Sequence, residues 1–253
     1  MKNLFFSIIT IILFGCNQTV KKVPEKSNDD PKDLSVLVVN YELNEMTLEE
    51  HAKLGSDVVG NFAPGKVSGL IGKTFIGNVD KGVFGGVYYF NSSSSLDQYL
   101  ESELWKDIVA HPNLVNFKTD IYGVANISEF SNGNASARKV AKTEEEVEDV
   151  SILVVNYELN EMTLEEHAKL GSDVVGNFAP GKVSGLIGKT FIGNVDKGVF
   201  GGVYYFNSSS SLDQYLESEL WKDIVAHPNL VNFKTDIYGV ANISIASNGV
   251  PSL

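Results

Sequence analysis

Alternation and helical spacing of apolar residues divide most of the chain into two copies of one series of elements. Ser35 to Asn44 (SVLVVNYELN) is rich in β-branched and aromatic residues and reads as a strand. Thr47 with Glu50 makes a capping box, after which Leu48, His51/Ala52, Gly55, Val58/Val59 and Phe62 recur on one helical face until Ala63-Pro64-Gly65. Val67 to Ile76 and Val83 to Phe90 are two further strands around a turn-rich loop at 77–82. Ser95 with Gln98 opens a second helix, striped by Leu96, Tyr99/Leu100, Leu104 and Ile108 and ended by His111-Pro112. Leu114 to Ile127 is the last strand. The order βαββαβ predicts an α+β, ferredoxin-like module with two helices on one face of a four-stranded antiparallel sheet.

Residues 37–128 recur as 153–244 without a single difference. The organisation is therefore 35–128 as a first module, 129–150 as an acidic linker, 151–244 as a second module and 245–253 as a tail. The linker, with its run Glu144-Glu145-Glu146, reads as a solvated tether. Strand parity says which sheet face the helices cover. Leu37, Val39, Tyr41 and Leu43 share an apolar side suited to helices, whereas Val36, Val38, Asn40 and Glu42 form a mixed side with Asn116, Lys118, Asp120 and Tyr122. Such a face is solvated or closed by another sheet, and the second copy supplies one.

The first fifteen residues form a separate feature. Lys2 precedes a largely apolar run from Leu4 to Phe14, too short to span a bilayer but suited to a signal peptide. Leu13-Phe14-Gly15-Cys16 resembles a bacterial lipoprotein processing box. The resemblance implies a signal peptide at 1–15, lipidation of Cys16 and a membrane-anchored place in the cell envelope, while 16–34, rich in Lys, Asn, Asp and Pro, reads as a flexible tether.

Composition excludes several classes. There are 20 basic and 32 acidic residues, a net charge of −12, and each module carries six lysines, eleven acids and no arginine. Nucleic-acid binding, which rests on basic patches, is not expected. One cysteine excludes an intrachain disulfide, and two histidines 60 residues apart in each module suggest no metal site. Gly72-Lys73-Thr74 lies inside a strand and lacks the glycine-rich loop of a phosphate-binding motif.

Three stretches then converge: Leu70-Ile71-Gly72-Lys73-Thr74-Phe75, Gly85-Gly86-Val87-Tyr88-Tyr89-Phe90, and Ser95-Leu96-Asp97-Gln98-Tyr99-Leu100-Glu101. Together, over essentially each whole module, they resemble the YdhR-type monooxygenase family. The resemblance implies a dimeric α/β barrel of two ferredoxin-like sheets facing each other around a lumen, here closed by the two modules of one chain. It also implies oxygenation of a small phenolic or quinol-type substrate with no metal or flavin cofactor.

Candidate residues come in pairs, one per module. Lys73 and Lys189 are either strand-edge lysines with solvated tips or lumen cations that steady a phenolate. Tyr88 and Tyr204 either pack or donate to a substrate oxygen. His51 and His167 are core histidines or general bases for a phenolic proton. Asn40 with Tyr122, and Asn156 with Tyr238, bind substrate or hydrogen-bond across the module interface. His111 caps its helix and Trp105 is core. A non-catalytic envelope protein that binds a small ligand is the alternative function.

Overall fold

The computed structural model describes residues 33–135 and 139–252. The segment expected to be a signal peptide, Cys16 and nearly all of the expected tether lie outside them. The first module runs β1 (Ser35–Leu43), α1 (Leu48–Val58), β2 (Leu70–Asn78), β3 (Val83–Phe90), α2 (Ser93–Glu101), α3 (Glu103–Val109) and β4 (Leu114–Val124). The second repeats it as β5 (Ser151–Leu159), α4 (Leu164–Val174), β6 (Leu186–Asn194), β7 (Val199–Phe206), α5 (Ser209–Glu217), α6 (Glu219–Val225) and β8 (Leu230–Val240).

Each module is an antiparallel sheet in which β1 lies between β3 and β4 and β2 takes the far edge. The two sheets close into one barrel, because β2 pairs with β8 and β4 with β6. Each seam is short and includes a glycine pair or glycine contact, Gly77 with Gly239 and Gly123 with Gly193. A closed barrel leaves no unpaired strand edge, which answers the exposure a lone four-stranded sheet would have.

Local chemistry explains most boundaries. The Thr47 hydroxyl accepts from the Glu50 amide at 3.2 Å, and Glu50 accepts from the Thr47 amide at 2.8 Å. The second helix differs from the sequence reading in two ways. Its cap is Ser92, whose hydroxyl accepts from the Ser95 amide, and it breaks at Ser102, which is extended and caps α3 by accepting from the Trp105 amide. In a serine-rich stretch several side chains can compete for the free amides. The last strand stops at Val124 and continues as a 3-10 turn over Asn126–Ser131.

The core has three parts. Leu37, Val39, Phe62, Tyr88, Phe90, Leu96 and Tyr99 pack between sheet and helices in the first module, matching the parity reading, and the second module repeats them. The third part lies between the sheets: Val36, Val38, Val87 and Tyr89 face Ile152, Val154, Val203 and Tyr205. The Thr74 and Tyr205 hydroxyls hydrogen-bond across it at 2.9 Å.

The inter-sheet space is not the open lumen expected. An eight-stranded barrel is only just wide enough for its own side chains, and here other segments enter as well. Ala135, Ala141, Val147 and Val150 of the supposed tether are buried in this cluster, as is Val250 of the tail. The described part of the 129–150 segment is thus amphipathic packing rather than a solvated linker, with Glu144 and Glu145 outside and the small apolar residues inside. The tether boundary also shifts, since Leu34 is buried and its carbonyl accepts from the Val124 amide.

Candidate functional site

Each module holds a cavity of about 610 Å³ between its sheet and its helices. In the first module β1 contributes Val39 and Tyr41, α1 contributes Leu48 and His51, and β2 and β3 contribute Lys73 and Tyr88. The space lies beneath α1, whose cavity-lining residues include the small Ala52 and Gly55 beside Leu48 and Val58, and no α1 residue is fully buried.

The most unusual group in it is Lys73. The residue is only 4% exposed, yet its side chain lines the cavity. Its Nζ stands 3.4 Å from the centre of the Phe62 ring, 3.9 Å from Phe75 and 4.6 Å from Tyr88. Among the described residues no carboxylate or other acceptor bonds to it. Burial without an anion pushes Lys73 well below the ordinary lysine pKa.

The sequence builds this nest locally. β2 and β3 pair so that Lys73 lies beside Tyr88 on the helix-facing side. The 3-10 turn Val59–Phe62 after α1 carries Phe62 inward. Gly86 leaves room for the lysine, since a Cβ there would lie 3.2 Å from Lys73 Cε and 2.9 Å from the Tyr88 ring. Gly85 serves a different purpose, because a Cβ would sit 1.8 Å from the Val39 carbonyl oxygen of β1.

His51 and Tyr41 form a polar pair in the same cavity, with Nε2 and the hydroxyl 2.9 Å apart. The His51 ring also packs on Phe84, 4.6 Å between centres. Burial lowers the His51 pKa and pushes Tyr41 up to about 12, so both are neutral near pH 7. Tyr88 is raised well above the ordinary tyrosine value, by burial first and then by Tyr99.

The structure therefore brings Lys73, Tyr88 and His51 together, and likewise Lys189, Tyr204 and His167 in the second module. They do not face an inter-sheet lumen; they line a cavity inside each module. Asn40, Tyr122, Asn156 and Tyr238 line neither cavity. Asn40 and Tyr122 are not neighbours, because their β1–β4 partners are Lys118 and Val36. Instead Tyr122 approaches Asn156 and Tyr238 approaches Asn40 across the modules, each amide opposing part of the rise that burial imposes on its tyrosine, while the buried Oδ1 atoms of Asn40 and Asn156 have no hydrogen-bond partner among the described residues. His111 accepts from the Asn113 amide at 3.3 Å in the turn after α3 and also borders the cavity.

Sequence reasoning missed the contribution of the other module. Gly239, Val240, Ala241 and Ile243 wall the first cavity, as Gly123 to Ala125 and Ile127 wall the second. The Ser247 hydroxyl donates to the Lys73 carbonyl at 2.6 Å and the Ser244 hydroxyl accepts from the Phe75 amide at 2.9 Å. Ser131 and Ser128 do the same for Lys189 and Phe191. One signal was available: Ser-Asn-Gly recurs at 131–133 and 247–249, just beyond the two-residue mismatch that ends the perfect repeat.

Solved structures share this architecture at low identity. A monooxygenase-like protein from Fusobacterium nucleatum, described as a putative monooxygenase, aligns with a TM-score of 0.60 at 13% identity, covering 82% of this chain and 92% of its own. A protein described as a putative chlorite dismutase aligns at 0.58 and 10% identity, covering 84% and 97%. An anthrone oxidase-like protein aligns at 0.53 and 12%, covering 84% and 92%. These likenesses establish the fold. Among curated protein sequences none matches. A family profile described as "Putative mono-oxygenase ydhR" matches both modules, over residues 36–134 and 152–249. With both halves of the barrel matched, the chain belongs to that family.

Proposed function

We propose that each cavity oxygenates a small aromatic molecule, of hydroquinone or anthrone type, without a cofactor. The observation that carries this reading is the unpaired Lys73 amine inside an aromatic, largely apolar cavity that also holds the His51–Tyr41 pair. A neutral amine accepts the proton of a bound phenol or enol, with His51 as a second acceptor. The ammonium formed then holds the resulting anion where water cannot compete. The anion supplies the electrons. When a ring methylene becomes a carbonyl, one atom of dioxygen enters the product, the other leaves as water, and the substrate provides all four electrons. No external reductant is needed.

Oxygen uptake across a panel of hydroquinones and anthrones tests this, with product identified by mass and one ¹⁸O atom retained from labelled dioxygen. Turnover that is lost in Lys73→Ala/Lys189→Ala supports the reading. A retained small molecule in native mass spectrometry, with no uptake on any panel member, would instead establish a binding protein. We also propose that Cys16 is lipidated and holds the barrel at the cell envelope. Incorporation of an alkyne-tagged fatty acid, abolished by Cys16→Ser, checks that.

A further inference from the structure

Lys73 and Lys189 have a chemistry that oxygenation does not exhaust. Each nitrogen borders a cavity of about 610 Å³, each is enclosed by three aromatic rings, and neither has an acceptor among the described residues. A buried polar group normally finds a partner in the protein. Here the partner position faces open cavity, so it is left for a ligand. We propose that these two lysines capture apolar aldehydes or ketones as Schiff bases, one per module.

The geometry suits each step. The amine attacks the carbonyl carbon; a proton passes to the carbonyl oxygen; water leaves and a carbon–nitrogen double bond forms. Atoms balance without any oxidant or reductant. The surrounding rings of Phe62, Phe75 and Tyr88 favour an aromatic or aliphatic carbonyl over a charged one. Lys73 and Lys189 are each only 4% exposed, which limits access of water to an imine formed there and slows its hydrolysis. A lysine desolvated in an apolar pocket is a recognised way to activate an amine nucleophile. The low lysine pKa agrees with this but adds no geometry of its own.

The test uses benzaldehyde and sodium cyanoborohydride with the full chain in oxygen-free buffer at pH 6.5. An exposed lysine, with an ordinary pKa of about 10.4, is then unprotonated in roughly one molecule in 10⁴. We expect two benzyl adducts per chain, formed at least about 10-fold faster than on any other lysine. Because the peptides around Lys73 and Lys189 are identical, they map to one peptide, and K73M or K189M alone must each leave a single fast adduct. Should either variant fail to fold, the peptide map of the unaltered chain decides alone. Labelling spread evenly over the lysines, or absent from the 73/189 peptide, overturns the proposal. Since no oxygen is present, that failure is separate from any failure of the oxygenation reading.

Discussion

The Lys73 side-chain nitrogen stands 3.4 Å over the centre of the Phe62 ring, and Lys189 stands at the same distance over Phe178. An aromatic face stabilises a desolvated cation by about 2 kcal/mol. Removing an ion from water costs several kcal/mol even after relaxation. Three rings partly close that gap but no anion completes it, so burial displaces the equilibrium towards the neutral amine. A site that stores an unpaired base in its core sacrifices stability for reactivity.

The first prediction follows from that trade. Lys73→Met/Lys189→Met keeps the volume and removes the two unpaired polar groups. Each unsatisfied buried group costs about 1–3 kcal/mol, so the melting temperature should rise while oxygenation and aldehyde capture disappear. Differential scanning calorimetry with the oxygen electrode reads both. A variant less stable than the parent would show that the lysines are satisfied in a way the contacts do not reveal.

A second concerns pH. Lys73 and Lys189 have folded pKa values well below the unfolded value of about 10.4. Between the two values the unfolded chain binds more protons, so stability rises with pH through that window. Burial of His51 and His167 adds the same sign below about 6.5. Above about 10 the sign reverses, since Tyr41 and Tyr157, pushed up to about 12, ionise more readily unfolded. Urea unfolding from pH 6 to 11 should therefore give a maximum near 10, and the double methionine variant should flatten the climb towards it.

Gly85 and Gly86 are adjacent but should respond differently. At Gly85 a methyl group meets backbone, 1.8 Å from the Val39 carbonyl oxygen, and β1 would have to move. Gly85→Ala should cost about 3 kcal/mol or more, at the upper end of overpacking. At Gly86 the nearest atom is in the Tyr88 ring, 2.9 Å away, then Lys73 Cε at 3.2 Å. Gly86→Ala should cost less stability yet displace the amine and lower turnover by at least about 10-fold, as misplacements of a reacting group do.

The clamp between modules gives a fourth. Thr74 hydrogen-bonds both Tyr205 and the Gly249 carbonyl, and the Ser247 hydroxyl holds the Lys73 carbonyl. Thr74→Val with Ser247→Ala should cost about 2–4 kcal/mol, at about 1 kcal/mol or more for each buried bond lost. It should also impair the first cavity more than the second, because their reciprocal contacts are separate. Adduct counting in K189M and K73M backgrounds would resolve the two sites; equal loss in both would contradict a local clamp.

Much of this molecule is legible in the chain. The offset repeat, the βαββαβ order, the Thr47–Glu50 box and the parity of β1 follow from rules acting over a few residues. Each holds in the structure because local hydrogen bonds and side-chain alternation do not depend on distant partners. The helix stripe of Leu48, His51, Gly55 and Phe62 even marks one wall of the cavity.

The rest depends on which surfaces meet. Ala135, Ala141, Val147 and Val150 have no regular period, so nothing marks them as buried until two sheets leave a gap of their size. Asn40 and Tyr122 share a sheet face, but each approaches a residue of the other module, Tyr238 and Asn156, rather than the other. Lys73 occupies a strand position of either meaning, solvent or core. The sheet's parity, the turn that brings in Phe62 and the missing side chain at Gly86 together place it inside. Periodicity along one chain reports the direction of a side chain; only packing between segments far apart in sequence decides what stands in front of it.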